Sequence, residues 1–434
     1  MNILEVVHGY PPQYNAGSEN YTETTSNEFI RKGHKVSVFC REENPFRKEY
    51  ELTETNAETN TKIRKFTINI YRNKDRFLNK EVDNAFRSVL EKTVPDIVHI
   101  EHLNHLSLGI PSVIEKMGIP TVYTLHDFWL MCPRGQFLQY NTTGTPWKNC
   151  DGQEDVKCAS VCYDRYHTGQ NELKNDILYW TDWINKRMTS VKEMIQKVQY
   201  FISPSNTVLN SFRSYFPEAK ERIIYLDYGF DLNKLKNRTR IRNKDEPYVF
   251  GYIGTHIPAK GVDQLIKAFG SVKGKTILRI WGRDRGEYTP YLKKLSQEVG
   301  KIFGNKIEWM GEFDSEKIIE QVFNNVDCIV VPSIWFENSP LVIHEAQQAR
   351  VPVITANTGG MAEYVKHGVN GLLYDFRDVG SLSHSMQDMV NTPSKADLLG
   401  KTGYLYDKDG NVQSIDSHVS ILEEVFRSLI TSQG

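Results

Sequence analysis

No run of eighteen apolar residues occurs in the 434-residue chain, so the sequence offers no helix able to span a membrane. Cysteine is sparse at six, too few for a disulfide-built scaffold at this length, and a reducing cytoplasm is the compartment this implies. The first apolar run starts at residue 2 with no basic-then-apolar leader before it, so no secretion signal is expected. An excess of either charge is missing as well. The 53 basic and 54 acidic residues leave a formal net charge of −1, which argues against the general electrostatic attraction that nucleic acid binding needs. Internal repeats and low-complexity tracts are absent too. What is present is ordinary globular material, 39% hydrophobic and 25% charged, in a chain too long for one comfortable core.

Apolar strand-like runs alternate with helical stretches along the whole chain, the pattern of parallel sheets covered on both faces. Strands are expected at 3–7, 35–40, 96–100, 121–125, 200–203 and 222–226, and again at 248–253, 276–281, 306–310, 327–331, 352–355 and 371–374. A helix over 19–32 should close at Gly33, a typical helix stop. Two doubly wound domains follow, at 1–230 and 248–415, with a linker at 231–247 and a final helix within 416–434. Within the linker, 234–244 places Lys or Arg at every second position, and such a segment has little to bury and should be solvated. Ligands of open parallel sheets bind beyond the carboxyl ends of the strands, so a cleft between the two domains' carboxyl-edge loops is the expected site.

The segment 332–373 carries the most chemistry. A short buried strand ends in Pro332-Ser333, and Ser339-Pro340 reads as a helix start with Pro at the first helical position. Glu337 therefore sits on the loop and Glu345, eight residues on, about a turn and a half into the helix. Between them the amides of Leu341 and Val342 are unpaired first-turn donors, which makes this helix end an anion site. Two carboxylates flanking a phosphate-sized positive dipole suit a nucleotide sugar.

The spacing Glu337-x7-Glu345, followed by Pro352-Val353-Ile354, Gly359-Gly360, Glu363 and Asn370-Gly371-Leu372-Leu373, resembles the retaining glycosyltransferases of family 4. The resemblance implies a GT-B fold, α/β, with two Rossmann-like parallel-sheet domains facing across a cleft. It implies a retaining hexosyltransferase that needs no metal or other cofactor for catalysis and draws on a UDP- or GDP-sugar. In that reading Lys260 holds the donor diphosphate with the Leu341 and Val342 amides, Glu345 binds ribose hydroxyls, and Glu337 orients the donor sugar. His126, in Thr124-Leu125-His126-Asp127, contacts that sugar from the first domain; an ordinary loop histidine capped by Asp127 is the alternative. Gly311 matches the position where backbone meets the nucleobase, Gly359 and Gly360 let the chain pass close to the donor, and Glu363 braces that loop. Chemistry on one face of the sugar, with the leaving phosphate helping to deprotonate the acceptor, removes the need for an enzymatic base.

Two positions depart from the family pattern. Two adjacent glycines are usual in the first loop, where this chain has Ala16-Gly17, with Gly17 still permitting close approach to a phosphate. The Arg usual after Gly254 is here Thr255, followed by His256. A missing cation beside a leaving diphosphate is expensive, and Arg283 or a protonated His256 is expected to compensate, with pairing of Arg283 to Asp284 as the alternative. Candidates for the acceptor are His102, Arg134 and Gln136, with His105 close by in sequence. The acceptor implied by the resemblance is a growing surface polysaccharide or lipid-linked oligosaccharide.

Cys132, Cys150, Cys158 and Cys162 fall in a polar insertion near 128–170, spaced C-x17-C-x7-C-x3-C. Four thiolates suit a tetrahedral structural zinc, with free thiols or a disulfide as alternatives. The stripe Trp180, Trp183, Met188, Val191 and Ile195 reads as core, or as a face docking on a membrane surface with Lys186, Arg187 and Lys192 near the headgroups. The resemblance implies that the final helix crosses back to the first domain; packing on its own domain stays open. Two other functions stay in view, a sugar-nucleotide epimerase of the same architecture and an inactive sugar-nucleotide-binding partner subunit.

Overall fold

The structure, a computed structural model, describes residues 1–71, 77–140, 147–168, 172–303 and 305–432. The chain forms two compact units, Met1–Gly229 with Ile415–Gly434, and Phe230–Ser414. In the first, strands β1 (Asn2–Val7), β2 (Lys35–Glu42), β3 (Leu52–Asn56), β4 (Arg64–Asn69), β5 (Ile97–Ile100) and β6 (Thr121–Thr124) come before a short hairpin, β7 (Leu138–Gln139) and β8 (Lys148–Asn149). Strands β9 (Tyr200–Ser203) and β10 (Ile223–Tyr225) complete an eight-stranded sheet in the order β10-β9-β6-β5-β1-β2-β4-β3, from which the hairpin is separate. Only β3 runs antiparallel to its neighbour. The central strands are buried on both faces, so they read as continuous apolar runs. Strand β3 escaped the sequence reading because, at the sheet edge, it is half-buried or exposed along its whole length and shows no apolar alternation; β4 was missed although Phe66 and Ile68 alternate along it.

The first helix forms over Gly17–Arg31 and the last over Ile415–Thr431. They pack together within the first unit, where Phe29 stacks on Phe426 at 5.7 Å. The second unit holds β11 (Tyr248–Ile253), β12 (Thr276–Trp281), β13 (Lys306–Gly311), β14 (Cys328–Val331), β15 (Val353–Ala356) and β16 (Gly371–Tyr374), all parallel, in the order β13-β12-β11-β14-β15-β16. Two doubly wound α/β units in one chain are the GT-B architecture.

The segment 234–244 is mostly exposed, as expected of a solvated linker, yet it is anchored. Arg240 grips Asp327 at 2.8 Å, and Arg238 donates to the Val326 carbonyl at 2.6 Å, which straps the segment onto the second unit. The stripe on helix Leu173–Lys197 is core, with Trp180, Ile184, Met188, Val191 and Ile195 buried. Arg187 is buried with them and so is not offered to a membrane surface. Among the described residues no helix is long and apolar enough to cross a membrane.

Candidate functional site

In the second unit the loop after β14 carries Glu337 to the start of helix Leu341–Gln348. Pro340 is the extended residue ahead of that helix (φ −69°, ψ 109°), so the helix begins one residue later than expected. Glu337 is buried and holds a left-handed backbone (φ 44°), unusual for a side chain other than Gly or Asn and the kind of strain that collects at functional sites. One of its carboxylate oxygens accepts from both Lys260 Nζ at 2.6 Å and Ser333 Oγ at 2.5 Å. Gly359 and Gly360 pack against the Glu337 loop itself. A side chain at Gly360 would place Cβ 1.3 Å from the Asn338 carbonyl oxygen, and at Gly359 1.7 Å from that of Phe336. The two glycines let their helix press against the backbone of the Glu337 loop and hold its shape, with the Gly360 amide donating to the Phe336 carbonyl. Glu363 braces through its backbone, its carbonyl accepting the Tyr406 hydroxyl at 2.7 Å.

Glu345 lies half-buried on the helix with no hydrogen-bond partner for its carboxylate among the described residues. Burial pushes it up to about 7, with His344 pulling the other way. The first backbone bond at this helix start runs from Ile343 to the Pro340 carbonyl, which leaves the Leu341 and Val342 amides without partners among the described residues.

Beside this loop, the ends of β11, β12 and β13 are stitched together, with Gly254 donating to Trp281 and Gly282 to Gly311. They border a cavity of about 450 Å³ whose lining includes His256, Lys293, Trp309, Gly311 and Glu312. Thr255 supplies no cation, and its carbonyl accepts the Tyr252 hydroxyl. Burial of the His256 ring lowers its pKa despite Asp284 at 3.4 Å, which disfavours the protonated form expected there. Arg283 pairs with Glu312 at 3.1 Å rather than with Asp284. Lys293, from helix Tyr288–Phe303, is a cation on this cavity that sequence reading missed, because it lies on a helix and in no loop motif.

In the first unit, His126 follows β6 with both ring nitrogens engaged, Nε2 with Glu101 at 2.8 Å and Nδ1 with the Tyr228 hydroxyl at 2.8 Å. Asp127 does not cap it; that carboxylate meets His102 at 3.4 Å and accepts the Trp129 amide at 2.7 Å. Below His126 lies a closed acid–base cluster, in which His99 Nδ1 stands 3.1 Å from Glu5 and 3.2 Å from Glu101. Among the described residues these three form the one group of potential metal ligands whose donor atoms all fall within 4.8 Å. Burial raises Glu5 to about 7; it also opposes charge on His99, but Glu101 and Glu5 override it and raise His99 to about 9. These residues were missed, although charged side chains at alternate positions of apolar strands were the available signal.

Gly17 opens helix Gly17–Arg31, but an acid already stands in that first turn. Glu19 meets His8 at 3.2 Å; burial pushes its carboxyl up, yet the bond and charge of His8 prevail and hold it down to about 2. Of the acceptor candidates, Arg134 and His105 line a second cavity in this unit, whereas His102 and Gln136 do not.

The four cysteines of the insertion are brought together and buried, close enough that Cys132, Cys150 and Cys162 all act on Cys158. Cys158 and Cys162 sit on one π-helical turn (Cys158–Cys162). Ligand type and count fit a metal clip, but no three of the sulfurs lie within 4.8 Å of one another, and Cys150 is turned to the Gly152 carbonyl at 2.9 Å. The parts of the insertion at 141–146 and 169–171 lie outside the described residues.

Comparison with known proteins follows this geometry. The family described as "Glycosyl transferases group 1" matches residues 233–406, and "Glycosyltransferase Family 4" matches 16–234. An uncharacterized glycosyltransferase of Methanocaldococcus jannaschii is 27% identical over 164 residues, which cover 36% of this chain and 41% of that protein. The chain spans 41% and 59% of the length of the first curated relatives it matches. Among solved structures, sucrose-phosphate synthase from Thermosynechococcus elongatus superposes with a TM-score of 0.70 at 17% identity, over 99% of each chain. HepE of Anabaena, solved in complex with UDP, gives 0.66 at 16% identity, over 99% of this chain and 100% of that one. At these identities the likeness shows the fold.

Proposed function

This chain belongs to glycosyltransferase family 4, and we propose that within the family it is a retaining, metal-independent hexosyltransferase that moves a sugar from a UDP- or GDP-sugar to a glycan hydroxyl. The observation that carries this reading is Glu345, a half-buried carboxylate with no partner among the described residues, one turn inside a helix whose first amides are likewise unpartnered among them. A carboxylate, acceptor-only once ionised, beside open N–H donors matches a ribose and its diphosphate.

Lys260 then grips the diphosphate, and the cavity beside Gly311 takes the base. Glu337 presents its carboxylate to the hydroxyls of the sugar. Lys293 is the better substitute for the missing cation, because its pair with Asp284, at 3.7 Å, is looser than that of Arg283 with Glu312, at 3.1 Å, and burial disfavours a charge on His256. For His126 to contact the donor sugar, a sugar hydroxyl must displace Tyr228 from Nδ1, which leaves Glu101 fixing the ring. The leaving phosphate assists deprotonation of the acceptor, which is a surface polysaccharide or lipid-linked oligosaccharide.

A thermal-shift screen of UDP-, GDP- and ADP-sugars tests the reading, since a ligand that binds only the folded state raises its melting point. One nucleotide sugar should shift the transition and Lys260→Ala should abolish the shift. No shift with any of them rejects the proposal. Incubation with donor alone separates the alternatives, since an epimerase would return an isomerised nucleotide sugar and an inactive subunit would return it unchanged, even with acceptor present.

A further inference from the structure

We propose that the first unit's cavity of about 590 Å³ is the acceptor site, and that it selects an acidic carbohydrate, a sugar bearing phosphate or carboxylate. The inference rests on the glycosyltransferase reading and adds the acceptor's chemical class. Its volume falls within the roughly 300–1,000 Å³ of small-molecule sites. Part of the lining comes from the loops after β5 and β6, at the carboxyl edge where ligands of parallel sheets bind and where His126 also sits, and Trp183 and Arg187 reach it from helix Leu173–Lys197.

Three guanidiniums, of Arg134, Arg165 and Arg187, line this one cavity, and among the described residues none is paired with a carboxylate. Arg187 is the most telling because it is 1% exposed. It donates to the Trp129 carbonyl at 2.7 Å, lies against Met188 sulfur at 3.2 Å, and rests 4.5 Å from the centre of the Trp129 ring. The nearby acid, Asp127, has its oxygens engaged by His102 and the Trp129 amide. Burying a cation without a counter-charge is destabilising, and a bound anion would remove that penalty.

Arg134 and Arg165 are held in place beside it. Both lie over the Tyr140 ring, at 5.2 and 5.1 Å, and Arg165 also over Tyr166 at 4.6 Å. Planar guanidiniums fixed by stacking are suited to two-pronged recognition of phosphate or carboxylate. Trp129, Trp183 and Tyr166 add flat apolar faces to the same lining, against which the C–H face of a pyranose packs. Cations and aromatic planes together fit a charged sugar better than either a bare anion or a neutral sugar.

The test is a binding titration of the intact chain with glucose 6-phosphate, glucuronate, glucose and inorganic phosphate, followed by tryptophan fluorescence. The two acidic sugars should bind at least about tenfold more tightly than glucose or phosphate, with affinity falling as salt rises. The double variant Arg134→Ala, Arg165→Ala, which leaves the buried Arg187 in place, should erase that advantage while nucleotide binding in the second unit persists. Glucose binding as well as the acidic sugars, phosphate alone binding as tightly, or an unaffected double variant would each overturn the proposal. Failure of the wild type to bind any nucleotide would instead sink the glycosyltransferase reading and leave the sugar titration readable.

Discussion

Lys260 Nζ stands 2.6 Å from Oε1 of Glu337, so the cation assigned to the donor's diphosphate and the acid assigned to its sugar are each other's partners. A diphosphate must therefore take Lys260 away from Glu337. Lys260→Ala is expected to weaken nucleotide diphosphate binding by about tenfold or more, since a charge-assisted contact is lost. Glu337→Gln should leave that binding equal or tighter, because Lys260 is released, yet lower the transfer rate by about 10²–10³. Calorimetry and initial rates read the two effects separately. Parallel loss of binding in both variants would contradict the assignment.

Glu345 makes the site sensitive to pH. Its folded pKa, about 7, lies above the ordinary 4.5, so the folded state holds this proton more tightly than the unfolded chain. The group therefore contributes nothing unfavourable below about 4.5, lowers stability progressively as pH rises to about 7, and has its full effect above that. Glu345→Gln should melt higher than wild type at pH 8 and match it near pH 4.5. A ribose hydroxyl donates to the ionised form, so nucleotide-sugar affinity should rise between pH 6 and 8 in the wild type and stay flat in the variant. A flat wild-type profile counts against ribose binding at this residue.

Gly360→Ala is expected to be severe, because Cβ would fall 1.3 Å from a backbone oxygen that cannot swing aside. A loss of at least about 3 kcal/mol is expected, at the upper end for overpacking. Gly33→Ala is the control: its φ is 86°, but nothing lies within 4 Å of the new methyl, so only the left-handed strain of about 1 kcal/mol applies. Urea unfolding compares the two. Equal losses would mean that close approach to the Glu337 loop is not what demands glycine.

The four gathered cysteines are proposed to close on structural zinc. Burial pushes Cys158 up to about 12 and Cys162 to about 11, so binding must expel protons and should tighten as pH rises. Closure to about 2.3 Å Zn–S bonds requires Cys150 to leave the Gly152 carbonyl. The purified chain should carry one zinc, lose several degrees of Tm on chelation, and regain them when zinc is added back. Cys162→Ser should melt like the chelated protein. Absence of zinc by elemental analysis, with no response to chelator, removes the proposal.

Much of the architecture was legible because it is local. Both central parallel sheets announce themselves as apolar runs, and Glu337 and Glu345 are placed by a strand end and a helix start only a few residues away. The missed strand β3 shows the limit, since an edge strand exposed to water need not alternate. The cysteine cluster was visible as a spacing, whereas how closely its sulfurs approach was not.

From its residue order alone this chain declares two doubly wound domains and a helix start flanked by two acids, since helix period, turn chemistry and burial act over a few residues. Folding in space settled other matters: that Lys260 holds Glu337, that Glu101 and Tyr228 hold His126, and that Arg187 is buried against Trp129 and bonded to its carbonyl. Those pairings join residues 77, 25, 102 and 58 positions apart. Contacts of that reach depend on how side chains from separate strands and helices pack and lose water together, and no local pattern encodes that.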